Sequence, residues 1–462
     1  MTDLIVIGGG PGGTATAMRA AQLGGQVTLV ERSELGGNCV NRNCVPFHTF
    51  LASARLVDQI RRAGEWGIEA DAPRLHLDQV MARKDAIVQE LREGMAGLLA
   101  SYSVEVVQGS ARLLGPGHVE VNGQRIEASA VVIATGARLA TPPSDFEASV
   151  NPQQALELKE VPASLLVVGD GPVECEFSIL FHLLGSQVTM VMEAMQPLPD
   201  EDYEVGQRLA ASMQERGIEL LTRTSLRAVR RENGRLVATV AGRNGGTDVS
   251  TDQVLWMRRE PAITDLGLDE AGVRLQTCTE RSRSDDAIAV DDRMQTNLPG
   301  VYAVGDVTGP PMFSHLATAQ GLVAAENAMG RSRRMDYRAV PRCAYTVPEV
   351  ACVGLTEDQA EDEGYQVEVS NIPFDINARA LAAGDTQGGV KIVSEAEYGR
   401  VLGVHIVGPQ ATELIAEASL AIQLETLAED LAWAVRGHPT LSETLPEAAR
   451  AILGQALYLP KW

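Results

Sequence analysis

Short apolar runs that stop at glycines punctuate this chain. Leu4-Ile5-Val6-Ile7 leads into Gly8, Val131-Val132-Ile133 into Ala134-Thr135-Gly136, and Leu165-Leu166-Val167-Val168 into Gly169. Apolar runs without polar alternation predict strands covered on both faces, as in a parallel sheet. Helical stretches follow at Thr14 to Leu23, Phe47 to Leu56 and Leu316 to Met329. Residues 52–100 predict two long amphipathic helices around a turn near Gly64 to Pro73. Alternation at Val104–Val107 and Val119–Val121 predicts strands of a small antiparallel sheet. From about residue 338 the pattern changes. Val390–Val393 and Val401–Ile406 read as strands, and the helix Glu413 to Leu424 has a largely apolar face that suits a subunit interface better than solvent.

A chain of 462 residues is too long for one core. Its 44 glycines and scarce aromatics fit an α/β protein with many tight strand-to-helix turns. The net charge of −22 argues against nucleic acid and anionic membrane as partners. No apolar run is long enough for a transmembrane helix, and the N-terminus lacks the basic start and apolar core of a signal peptide. A cytoplasmic location is the expectation. Six cysteines there do not imply a disulfide framework. Cys39 and Cys44 are not spaced as a zinc pair and no second Cys/His pair accompanies them, so no metal is expected.

The opening segment reads strand, G-x-G-x-x-G, helix, strand, acid. Gly8, Gly10 and Gly13 let the backbone turn and approach a pyrophosphate, and Glu31 ends the second strand, placed to accept ribose hydroxyls. The whole unit at this spacing predicts dinucleotide binding, where an isolated glycine motif would predict only a tight turn. Soon after come Cys39 and Cys44, five positions apart, with Pro46 in the first turn of the next predicted helix. A thiol near a helix N-terminus is favoured as thiolate. The pair therefore suits exchange better than holding a fold together.

Glu31 through Leu51 resembles the start of the pyridine nucleotide-disulfide oxidoreductases. The resemblance runs over nearly the whole chain and implies two Rossmann-like domains plus a C-terminal α+β dimerisation domain. The expected boundaries are an FAD-binding domain at 1–145, an NAD-binding-like domain at 146–265, a central domain completing the FAD site at 266–337, and an interface domain at 338–462. It implies FAD in the first unit, with Cys44 facing the flavin and Cys39 exchanging with a dithiol. Ala111, Thr135, Gly136, Asp306, Met312 and His315 stand where the family contacts FAD, with Asp306 accepting the ribityl hydroxyls. His438 and Glu443 resemble the family's acid-oriented base, which serves the cysteines of the other subunit. A homodimer follows, acting on a dihydrolipoyl-type dithiol that is free or held on a carrier protein. His48 replaces the family's lysine, and Glu176 is its expected partner.

The family's second unit binds NAD(P)H, and here Gly169 and Gly171 are present. Three departures accumulate around it. Glu174 stands at the third glycine, Met192 at the ribose-binding acid with Glu193 one place later, and Arg258 where the family has glycine. A slip of one residue turns a strand side chain to the other face, so Glu193 replaces the acid only if its strand ends early. No arginine pair follows, which speaks against a 2′-phosphate. The expectation is that Glu174 and Arg258 pair across the slot. Three readings follow: oxidation of the dithiol through FAD to NAD, the same chemistry with a non-NAD electron partner, and a non-catalytic flavin-bound scaffold.

Overall fold

The computed structural model describes residues 2–146, 148–243, 245–280 and 283–460. Two compact units emerge. One comprises Met1–Thr141, Asn151–Glu160 and Met257–Asp336; the other comprises Pro142–Val150, Val161–Trp256 and Tyr337–Trp462.

The first unit is built on a sheet whose parallel strands, in spatial order, are Glu105–Gln108, Val27–Glu31, Thr2–Ile7, Gln124–Ile133 and Val301–Ala303. Leu4, Ile5 and Val6 are fully buried, as unbroken apolar runs require. The far end of the long strand Gln124–Ile133 turns antiparallel to His118–Val121, which pairs with Ala111–Gly115. Helix Pro11–Gln22 packs against helix Ser314–Ala328 through small residues. A Cβ on Gly321 would come 2.4 Å from the Gly12 carbonyl oxygen. The two long helices predicted for 52–100 are Cys44–Arg61 and Leu77–Ser101. The first begins three residues earlier than the apolar pattern indicated, which makes Cys44 its first residue.

The second unit holds a four-stranded parallel sheet in the order Glu219–Leu221, Gln187–Val191, Ser164–Val168, Gln253–Trp256. A meander of Ser225–Glu232, Arg235–Gly242 and Gly245–Thr251 lies beside it. Its C-terminal part is a five-stranded antiparallel sheet, Arg342–Ala344, Glu349–Gly354, Val401–Gly408, Gly389–Glu395 and Val367–Pro373, covered by helices Ala411–Gln423 and Thr444–Ile452. Within this unit, buried Lys391 donates to Asp202 at 3.0 Å and to Glu357 at 2.7 Å. Arg342 clasps Glu201 through its Nε and Nη2. No described helix is long and apolar enough to cross a membrane.

Candidate active site and nucleotide sites

Left-handed Gly36 and Gly37 start the short helix Gly37–Asn41, which carries Cys39. A Cβ on Gly37 would meet Gly10 Cα at 2.8 Å, so the cysteine turn lies directly on the glycine loop. Cys39 and Cys44 are half-buried free thiols. Cys44 Sγ lies 3.7 Å from Ser314 Oγ. A hydrogen bond from the Cys44 thiol lowers Cys39 to about 7, against the opposing effect of burial. The same bond, helped by burial, drives Cys44 upward. In the reduced pair the thiol that ionises first is therefore Cys39, whereas the resemblance implies a thiolate at Cys44.

The same unit offers a dinucleotide cradle. Glu31 is buried at its strand end; its Oε2 accepts the Gly9 N–H at 2.7 Å and its Oε1 the Ser33 N–H at 2.8 Å. A Cβ on Gly13 would lie 1.8 Å from the Gly8 carbonyl oxygen, so only glycine fits there. Gly136 is left-handed, and Thr135 donates its hydroxyl to the Ala262 carbonyl at 2.9 Å. Ala111 is buried at the start of its strand. Burial raises the Asp306 carboxyl above its ordinary value, with Arg259 opposing. Arg259 Nη1 donates to the Met312 carbonyl at 3.1 Å, and exposed His315 stacks on Phe313 with centroids 5.2 Å apart. A tight glycine loop, a buried acid at the strand end and a second, desolvated carboxyl fit FAD. His48 is exposed on helix Cys44–Arg61, its ring edge-on to Phe47.

In the second unit, strand Gln187–Val191 does end early, before Met192. Met192 is buried and Glu193 exposed. Asp170 takes the place that Gly9 has in the first unit, and its carboxylate accepts the Ala194 N–H at 3.2 Å. Glu174, also buried, folds its carboxylate back onto the glycine loop. A Cβ on Gly169 would meet Glu174 Oε1 at 2.9 Å, and one on Gly171 would meet Oε2 at 2.9 Å. The loop thus wraps a carboxylate where a Rossmann unit receives a pyrophosphate. The partner expected for Glu174 is engaged elsewhere: Arg258 binds Asp285 and, at 3.5 Å, Glu260 within its own unit. Glu176 Oε1 accepts the Tyr345 N–H at 3.0 Å.

Also in the second unit, His438 Nδ1 lies 3.0 Å from Glu443 Oε1. Glu443 Oε2 accepts the Thr440 N–H at 2.8 Å, so the short turn between them fixes the carboxylate. Burial works against ionising Glu443, but the Thr440 N–H and His438 hold its carboxyl below the ordinary range. With Nδ1 engaged, Nε2 of this exposed ring is the nitrogen left to exchange protons. Two pairings escaped the sequence reading. Ser314 beside Cys44 and Arg259 beside Asp306 are far from their partners in the chain, so the segments that hold them do not reveal the contacts.

Family comparison agrees with this geometry. Residues 2–321 match the model of the pyridine nucleotide-disulphide oxidoreductases and residues 340–449 that family's dimerisation domain. The chain belongs to this family, and its dimerisation domain supports a homodimer. It is similar to dihydrolipoyl dehydrogenase of Thermus scotoductus, 41% identical over 99% of this chain and 98% of that one, and to dihydrolipoyl dehydrogenase of Bacillus subtilis, 37% identical over 98% and 99%. The solved structure of LpdA from Mycobacterium tuberculosis superposes with a TM-score of 0.89 at 30% identity, covering 98% of this chain and all of that one. These findings make the chain a flavoprotein disulfide oxidoreductase of the dihydrolipoyl dehydrogenase type.

Proposed function

We propose that the enzyme oxidises a dihydrolipoyl-type dithiol, free or on a carrier protein, through Cys39 and Cys44 and passes the electrons by way of FAD to NAD⁺. One observation carries this: a cysteine pair with one easily ionised thiol sits on the glycine loop that fits FAD. A substrate thiolate attacks Cys39 Sγ of the oxidised pair, and His438 of a second copy takes the thiol proton at Nε2. The Cys39–Cys44 bond breaks as the mixed disulfide forms. The second substrate thiolate then attacks that disulfide, closes the substrate's own ring and releases Cys39. The substrate loses two electrons and the pair gains them. FAD, held by the glycine loop, Glu31 and Asp306, would supply the two-electron acceptor that restores the disulfide. Exposed Leu420, Leu424, Trp433 and Val435 give the C-terminal sheet and helices an apolar surface for a second copy.

The carboxylate of Glu174 in the second glycine loop favours a second reading, in which the final acceptor is a protein or quinone and not NAD⁺. Stopped-flow mixing with dihydrolipoamide, then NAD⁺, separates them. Flavin reduction followed by fast reoxidation supports NAD⁺, and reduction alone supports the other acceptor. Failure of dihydrolipoamide to reduce the flavin refutes both and leaves a flavin-bound scaffold.

A further inference from the structure

We propose that Glu201, Cys352 and His405 form a binding site for a zinc-like divalent cation, where the turn before helix Tyr203–Glu215 meets the antiparallel sheet. One ligand atom from each of the three lies within 4.8 Å of the other two. Among the described residues, no other three histidine, cysteine or carboxylate groups converge in this way. Strand register builds the convergence. Arg342 pairs with Cys352, Cys352 with His405 and His405 with Lys391, so four strands set these side chains in one row on one face of the sheet. Glu201 reaches that row, where it meets Arg342, from the turn that also brings Asp202 to Lys391. Cys352 is fully buried and His405 is 1% exposed. The Glu201 side chain keeps an edge to solvent, which marks the way in.

His405 itself points to a ligand. Its Nε2 lies 3.0 Å from the Leu355 carbonyl, which can only accept, so Nε2 carries the ring proton. Nδ1 is buried and has no hydrogen-bond partner. A buried lone pair left unmet costs stability, and a cation meets it. A ring fixed at one nitrogen by a backbone carbonyl, with the other nitrogen open, is the way metal-ligating histidines are oriented. Glu201 is braced in the same manner: Arg342 Nε donates to its Oε1 and Arg342 Nη2 to its Oε2, each at 2.9 Å. Each carboxylate oxygen keeps a further lone pair for an ion. The Cys352 thiol donates to Glu201. As the cation binds, that proton leaves to solvent and the sulfur takes up the ion. Glu201 and the Cys352 thiolate together neutralise a dication, and Arg342 stays on Glu201 as its outer partner. Nitrogen, sulfur and oxygen donors in one set suit zinc better than calcium or magnesium, and three protein ligands leave a fourth position for water. The ion would fasten the Glu201 turn to two strands of the sheet.

Zinc titration of the oxidised, FAD-loaded protein, first stripped of metal with a chelator, tests this. Zinc should bind one to one per protomer and survive gel filtration. Zinc-edge X-ray absorption should show a single sulfur at about 2.3 Å, with nitrogen and oxygen at about 2.0–2.2 Å. Cys352→Ser should remove the sulfur signal and lower zinc affinity by at least about tenfold. Because Cys352 lies in the core, Glu201→Gln at the solvent edge is the second variant, with a loss of at least about tenfold expected in protein that still unfolds cooperatively. No retained zinc, or an affinity that neither variant changes, would overturn the proposal. So would two sulfurs on the ion, which would place it on Cys39 and Cys44, or none, which would place it on groups such as His438 and Glu443. None of the three ligands takes part in the proposed reaction, so failure here leaves that reaction standing.

Discussion

Glu31 and Met192 occupy the same place in two parallel sheets. Each directly follows the strand residue whose carbonyl accepts from the first glycine of the loop: Gly8 N–H to Val30 at 2.8 Å, Gly169 N–H to Val191 at 2.9 Å. In the first unit that place holds a carboxylate bound to the loop, and in the second a buried thioether. One nucleotide site is thus complete in its polar groups. The other has lost the acid at the strand end and gained one, Glu174, in the loop.

Glu174→Gly should therefore open the second glycine loop. The measurement is the rate of flavin reduction by NADH across a concentration series. Apparent affinity is expected to rise roughly tenfold, equivalent to about 1.4 kcal/mol. Glu174→Gln should gain less, because it removes charge but keeps bulk. No gain in either variant would show that the carboxylate does not obstruct the dinucleotide.

Alkylation of the reduced enzyme should report the order of ionisation of the pair. Only thiolate reacts, so labelling by iodoacetamide should rise through a pH of about 7 and map to Cys39. Below that pH the rate should fall as Cys39 takes up its proton. Peptide mapping that finds Cys44 labelled first would reverse the assignment.

Loss of the base should be large. His438→Gln is expected to slow dithiol-driven flavin reduction by roughly 10²- to 10⁴-fold. Glu443→Gln should cost less, since it removes orientation and charge but leaves the ring. Because the Glu443 carboxyl is held below its ordinary value, its support is fully present above the ordinary carboxylate range. It is lost only as pH falls through the lowered value. A variant series with unchanged rates at neutral pH would remove His438 from the reaction.

Lys391 tests what holds the second unit together. It is buried between Asp202 and Glu357. Burial resists ionising Asp202, but neighbouring positive charge keeps its carboxyl low. His405 is itself pushed toward neutrality by burial, so Lys391 is the cation that counts. Lys391→Met strands a buried carboxylate and should cost about 3–5 kcal/mol in urea unfolding. A loss below about 1 kcal/mol would mean that Asp202 is rehydrated instead.

Much of this was legible because it is local. The apolar runs ending in glycine mark the parallel strands, and the spacings of Gly8 to Glu31, Cys39 to Cys44 and His438 to Glu443 lie within single supersecondary units. Glu174 stood out as an acid in a glycine's place, yet its direction did not. The expectation was a pairing with Arg258. The chain instead turns the carboxylate onto the glycine loop and gives Arg258 to Asp285 of a distant hairpin.

The most direct test of the account is the state of two sulfurs. Oxidised enzyme, trapped under denaturing conditions and mapped by peptide mass, should carry a Cys39–Cys44 disulfide. One equivalent of dihydrolipoamide should convert it to two alkylatable thiols as lipoamide appears. If the disulfide is absent, or persists while the dithiol remains unoxidised, the central claim is wrong.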